Sequence, residues 1–250
     1  MGTAFPVGTA AGKVAFVTGA ASGLGRAHAL RLAAEGADII AVDSCRPIPS
    51  AGYQPGSLDD LTETAARVRS LGRRALARPA GVRDLGQLSS VVDEAMVEFG
   101  RLDIIVAAAR IGGSAPTSEL TEAAWQEVID VNLTGAWLTC KAAMPSLIAG
   151  GAGGSVVLVV SSAGQRPGPD QAHVAAAGQA VAGLAKTLAL ELAEHDIRVN
   201  VLSSSAEEDG GGAGGGGRDA PGDTLAFLVS DAARHLTGTV LPADAGALAR

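Results

Sequence analysis

Short, largely apolar runs alternate along this chain with longer segments whose apolar residues recur at helical spacing. The runs fall at 14–17, 37–42, 74–78, 102–108, 155–160, 197–202 and 239–241. The helical segments fall at 23–36, 58–71, 85–99, 121–149 and 171–193. Strands that are apolar nearly throughout belong to a sheet covered on both faces, not to one with a wet side. Their alternation with helices specifies parallel pairing through right-handed crossovers. The expected fold is α/β, one doubly wound parallel sheet of about seven strands with helices on both faces. A flexible tail is expected over 1–12, a single domain over 13–250, and a flexible glycine-rich loop at 206–222. Inside that loop, 210–217 is seven glycines and one alanine, with nothing that can pack.

The turn between the first strand and the first helix reads Thr18-Gly19-Ala20-Ala21-Ser22-Gly23-Leu24-Gly25. Glycines there let backbone close on a pyrophosphate, and the helix start offers unpaired N–H groups and the positive end of a dipole. Asp43 ends the second strand, eighteen residues after Gly25, where a carboxylate binds ribose hydroxyls and repels a 2′-phosphate. This is a Rossmann-type dinucleotide site, with a tight packing turn that holds no ligand as the alternative. If the turn holds NAD, Gly19, Ser22, Gly23, Leu24, Gly25 and Asp43 are its contacts; whether NAD still binds is left open by the sequence.

Composition narrows the function classes. The 250 residues carry 19 basic and 26 acidic side chains, a net charge of −7, so no basic excess exists to neutralise nucleic acid or an anionic membrane. The two cysteines, Cys45 and Cys140, cannot build a disulfide framework, which fits a reducing cytoplasm. No uninterrupted apolar stretch is long enough to span a membrane, and the first residues lack the pattern of a signal peptide. No His/Cys/Asp spacing points to a metal site.

Further motifs carry a resemblance. Gly100-Arg-Leu-Asp-Ile104, Asp130-Val-Asn-Leu-Thr-Gly135, Ser161-Ser162, Thr187-Leu-Ala-Leu-Glu-Leu192 and Ile197-Arg-Val-Asn200 join the glycine turn. Together they resemble the short-chain dehydrogenase/reductase family over about 12–250. The insertion after the second strand, with Tyr53 and Asp60-Leu61, is similar to the actinobacterial mycofactocin-associated branch, whose members keep NAD tightly bound. The resemblance adds Val82 to the cofactor contacts. It also implies an Asn–Ser–Tyr–Lys set, in which tyrosine moves the proton while lysine lowers its pKa and holds the nicotinamide ribose. At the tyrosine and lysine positions this chain has Val174 and Gly178. Its sole tyrosine is Tyr53, and its lysines are Lys13, Lys141 and Lys186, so no shifted alignment restores the pair. The same end of the crevice differs elsewhere: Ala108-Ala109-Arg110 for Asn-Ala-Gly, Gly81 for Asp, and Ser204-Ser205 for Pro-Gly. The adenosine half-site is thus retained and the nicotinamide half-site altered.

The residues left for chemistry are Arg110, Asn132, Ser161 and Ser162. Ser161 stands thirteen residues before Val174, the family's spacing, and a loop one residue shorter favours Ser162. A serine without a base donates hydrogen bonds and does not attack. Asn132 in the family holds a helix kink and a water. A guanidinium in an apolar crevice is costly unless paired, so Arg110 is expected to meet an oxyanion or to swing to solvent. Asp170 and Glu207 read as solvated loop carboxylates. His28, His195 and His235 read as helix or surface residues, and His173 as the neighbour of the lost tyrosine.

The leading expectation is a non-redox catalyst, a cyclase, isomerase or dehydratase, acting on a small apolar metabolite in the old crevice. The alternatives are a non-catalytic subunit or ligand-binding protein that assembles with an active dehydrogenase, and a residual NAD-dependent oxidoreductase. The apolar faces of the two long helices are expected to form a homodimer or homotetramer, or a hetero-oligomer with an active relative.

Overall fold

The computed structural model describes residues 8–48, 56–204 and 220–244. In chain order the elements are β1 (Val14–Thr18), α1 (Gly23–Ala34), β2 (Asp38–Asp43), α2 (Leu58–Ser70), β3 (Ala75–Pro79) and α3 (Leu85–Phe99). They continue with β4 (Ile104–Ala107), α4 (Glu122–Val128), α5 (Gly135–Ala149), β5 (Gly154–Ser161), α6 (Ala172–Glu191), β6 (Ile197–Ser204), α7 (Ala220–Val229) and β7 (Val240–Ala243). Among the described residues the strands make one seven-stranded sheet in the order β3-β2-β1-β4-β5-β6-β7, and every pairing is parallel. Crossovers run outward in opposite directions from β1 and β4, which makes their carboxyl ends the switch point of the sheet.

Each strand divides its side chains between two cores. Val14 and Phe16 of β1 face a cluster built with Val91 of α3, Leu147 of α5 and Val181 of α6. Ala15 and Val17 face the other side, with Leu24 of α1, Leu61 of α2 and Leu228 of α7. Phe16 and Val17 are both fully buried, which is why the run shows no polar alternation.

Two regions differ from the sequence reading. The segment 121–149 is not one helix: α4 and α5 are joined by a π-helical turn, Ile129–Thr134. Gly135 begins α5 so close to the third strand's loop that a Cβ there would lie 2.6 Å from Cγ2 of Val82. Such bulges re-aim side chains at functional sites, and this one carries Asn132. Of the expected tail over 1–12, residues 8–12 are packed. Thr9 donates to Glu35 through N–H and hydroxyl, and Ala10 is fully buried. Most of the expected loop at 206–222, including the glycine tract, lies outside the described residues, as does Tyr53; residues 220–222 start α7.

Candidate active site

A cavity of about 680 Å³ opens at the carboxyl ends of β1, β2 and β4. Its first wall is the glycine turn. Gly19 has φ +72°, and a Cβ there would lie 2.8 Å from the Cα of Ala109. At Gly25 a Cβ would lie 2.0 Å from the carbonyl oxygen of Gly19, so α1 begins pressed onto its own turn. Neither position tolerates a side chain. The N-cap of α1, Ser22, makes no side-chain cap, so among the described residues the opening N–H groups of this helix have no side-chain cap at the cavity. Thr18 ties the two central strands together above the sheet, its hydroxyl accepting from Ala108 and Ala109 N–H at 3.2 and 3.3 Å.

Asp43 closes the second wall. Its carboxylate accepts from Ala21 N–H and Cys45 N–H, both at 3.1 Å, which fixes its orientation towards the turn. Burial nonetheless raises its pKa above the ordinary carboxylate range, outweighing the backbone donors of Cys45, Ala21 and Ser44. Val82, Arg110 and Ile111 complete the lining on the β4 side. All the sequence-predicted cofactor residues, Gly19, Ser22, Gly23, Leu24, Gly25, Asp43 and Val82, thus border one cavity. An uncapped helix start, backbone that admits no Cβ, and a fixed carboxylate together fit the adenosine and pyrophosphate parts of NAD.

The candidate catalytic residues are not brought together in the same way. Arg110 lines the cavity, half-buried. Asn132 spends both ends of its amide on Ile111, the residue after Arg110, accepting from its N–H and donating to its carbonyl oxygen, each at 2.8 Å. Its role is to pin the segment that carries Arg110. Ser161, at the end of β5, accepts from Ala163 N–H at 3.3 Å and so caps the short turn Ser162–Gly164. Neither Ser161 nor Ser162 borders the described cavity.

Val174 is buried in a small apolar cluster with Val82, Ile111, Val131 and Ala163. At Gly178 a Cβ would lie 2.8 Å from the Cα of Gly164, so α6 and the serine turn meet backbone to backbone there. Gln179 fastens the contact by donating its side-chain amide to Gly164 O. Of the lysines, Lys13 sits at the opposite end of the sheet, Lys141 lies over the Trp137 ring, and Lys186 is exposed on α6. Asp170 is exposed, with φ +66°, and Glu207 lies outside the described residues.

Three features escaped the sequence reading. His28 is a helix residue of α1 and fully buried there, and neither ring nitrogen has a hydrogen-bond partner among the described residues. Burial and the charge of Arg110 push its pKa down to about 3, so the imidazole is neutral. Its position four residues from both Leu24 and Leu32 placed it on the buried face of the helix. Ser203 and Ser204, at the end of β6, also bury hydroxyls without a partner among the described residues. Arg46 and Arg83, both exposed, also line the cavity, and nothing in the sequence reading pointed to either. No group of three or more His, Cys, Asp or Glu side chains among the described residues is placed to hold a metal ion. No described helix is long and apolar enough to cross a membrane.

Residues 13–206 match the sequence profile of the short chain dehydrogenases. The chain belongs to this family. The family's curated members include (−)-trans-carveol dehydrogenase of Rhodococcus erythropolis, 40% identical over 270 residues that cover 94% of this chain and 97% of that one. An NAD-dependent oxidoreductase of Mycobacterium tuberculosis is 41% identical over 268 residues, 96% of this chain and 98% of its own. Among solved short-chain dehydrogenases, carveol dehydrogenase from Mycobacterium avium in complex with NAD superposes with a TM-score of 0.89 at 40% identity, covering 97% of this chain and 100% of that one. The Mycobacterium paratuberculosis enzyme bound to NAD gives 0.89 at 38%, with coverage of 97% and 100%.

These relatives overturn two expectations, the non-redox catalyst and the non-catalytic subunit. They are oxidoreductases by name, and NAD is present in the two solved structures. The physical reason lies in what each half of the crevice supplies. Hydride chemistry needs a held nicotinamide cofactor, and the backbone turn that fits one, Gly19 to Gly25, does not include Val174 or Gly178.

Proposed function

We propose that this chain is an NAD-dependent oxidoreductase that interconverts a secondary alcohol and a ketone on a small, largely apolar metabolite. The observation that carries the reading is the cradle: an uncapped α1 start, Gly19 and Gly25 where no side chain fits, and Asp43 fixed across from them. NAD, when bound, supplies the hydride acceptor. The turn backbone from Gly19 to Gly25 receives its pyrophosphate, Asp43 its adenosine ribose hydroxyls, and Val82 borders the adenosine side. Arg110 supplies positive charge on the β4 wall. The names of the carveol dehydrogenases favour a cyclic alcohol, and the apolar cluster around Ile111, Val131 and Val174 suits one.

The site is degenerate in its proton-handling pair, with Val174 and Gly178 where the family carries tyrosine and lysine. The proton released from the substrate oxygen as the hydride leaves then passes to water, since Ser161 is no base and does not border the described cavity. Turnover is slower by the roughly 10²- to 10⁴-fold that a positioned acid–base residue contributes. The chain acts in the cytoplasm, where Cys45 and Cys140 remain free thiols. It forms a homodimer or homotetramer through α5 and α6, whose outer faces expose Trp137 and Leu190. Light scattering tests the assembly, and a monomeric mass at micromolar concentration would remove it.

The activity is tested with a cyclic secondary alcohol deuterated at its carbinol carbon, mixed with protein and NAD. Deuterium delivered to the nicotinamide ring, at a low rate, is the expected outcome. Binding of NAD with no label transfer over many hours would contradict the proposed activity.

A further inference from the structure

At the end of the sheet opposite the dinucleotide crevice lies a second cavity, of about 440 Å³, bordered by the amino-terminal edges of β1, β4, β5 and β6. Four cations line it, Lys13, Arg101, Arg198 and Arg234, together with the carboxylates of Asp103, Asp196 and Asp231. The charges are not matched in pairs. Arg101 is committed to Asp103 through Nε and Nη2 at 2.9 and 2.6 Å, and Val14 N–H holds the same carboxylate at 2.8 Å. That pair is self-contained.

The other three cations are differently placed. Lys13 donates to Val229 O at 3.2 Å and stands 3.8 Å from Asp231, whose side chain is fully exposed. Arg198 is held by carbonyl oxygens alone, those of Leu228 at 2.7 Å, Ser230 at 3.3 Å and Leu236 at 3.4 Å. Carbonyls satisfy its donors and leave its charge uncompensated, and among the described residues no carboxylate is in salt-bridge reach. Burial accordingly holds its pKa below the ordinary arginine value, opposed by the more distant Asp231. Arg234 is exposed and makes no ion pair among the described residues. Asp196 is exposed in a left-handed turn. Beside it the Gly153 backbone comes so near that a Cβ would lie 2.9 Å from the Asp196 carbonyl oxygen, so this flank of the cavity is polar backbone.

We propose that this cavity binds a small phosphate-bearing metabolite or inorganic phosphate, held by Lys13, Arg198 and Arg234. The solvated carboxylates of Asp196 and Asp231 are poor counter-ions for a half-buried guanidinium, whereas a dianion seated among the three cations offsets two of their charges and offers each a charge-assisted hydrogen bond. The site is separate from the glycine turn, because it lies at the opposite ends of the same strands.

The test is calorimetric titration with inorganic phosphate at constant ionic strength, on the wild-type chain and on a Lys13→Ala/Arg234→Ala variant. Arg198 is left in place because it braces three backbone carbonyls. Protein saturated with NAD is used so that the glycine turn does not compete, but the contrast between the two chains holds with or without cofactor. Saturable binding of one phosphate per wild-type chain is expected, at least about tenfold weaker in the variant. The variant's thermal unfolding midpoint in phosphate-free buffer should fall by only about 2–4 °C, through loss of the Lys13 hydrogen bond to Val229 O. Absence of saturable heat, or equal affinity in the two chains, would overturn the site. Citrate binding more tightly than phosphate would overturn the ligand class.

Discussion

The two ends of the crevice are built from different materials. At the adenosine end, recognition rests on backbone: a turn in which Gly19 and Gly25 leave no room for side chains, the free start of α1, and one carboxylate at Asp43. At the far end, the family's proton chemistry rests on two side chains, and here Val174 is packed into an apolar cluster while Gly178 touches Gly164. Backbone recognition is tied to the fold and survives as long as the sheet does. Side-chain chemistry can be lost one residue at a time without disturbing the fold. On the function proposed above, a chain of this construction would keep its cofactor site and hydride chemistry while handling the proton poorly.

The largest expected effect comes from filling the turn. Gly25→Ala places a Cβ against the Gly19 carbonyl, and NAD binding should become undetectable by calorimetry while far-ultraviolet dichroism keeps the sheet and most helices. Retained affinity would mean that the turn is not the pyrophosphate cradle.

Next in size is the linkage at His28. Its folded pKa of about 3 lies below the unfolded value of 6.5, so the unfolded chain binds the extra proton between them and stability falls as pH drops from 6.5 towards 3. The loss approaches about 4–5 kcal/mol, on the order of 1.4 kcal/mol per pH unit. Urea titrations across that range should show it, and His28→Leu should flatten the profile. An unchanged slope in the variant would place the acid sensitivity elsewhere.

Asp43→Asn should weaken NAD by about 1.5–3 kcal/mol through loss of charge-assisted hydrogen bonds to the ribose. The same variant should not lose apo stability at neutral pH. Burial raises the Asp43 pKa in the folded chain, so its ionised form costs stability above the folded pKa, and the neutral amide avoids that cost. Equal losses of affinity and stability would contradict a binding role.

The smallest effects lie at the far end. Gly178→Ala should cost about 1–2 kcal/mol, the strain of overpacking against Gly164 less the gain in helix propensity. Val174→Tyr alone should raise turnover by no more than about tenfold, since the lysine that tunes a tyrosine has no room at 178.

Much of this architecture was legible in the order of residues. Apolar runs alternating with helical segments specify the parallel sheet, and the glycine turn with Asp43 specifies the cradle, because both are local patterns. Contacts between distant segments left no such trace. The Gly164–Gly178 approach joins residues fourteen apart across a turn, and the π-helical turn around Asn132 answers to Ile111, twenty-one residues earlier. His28 lies on α1, within the reading of a helix or surface residue, but the only sign of its full burial was its spacing from Leu24 and Leu32. The functional expectation erred by weighing the lost side chains at 174 and 178 above the intact backbone at 19–25.

Calorimetric titration of the freshly purified chain with NAD tests the central claim most directly. One NAD bound per chain, at micromolar affinity or already present as purified, is the predicted result. No heat of binding at millimolar NAD, with no cofactor released on denaturation, would contradict it.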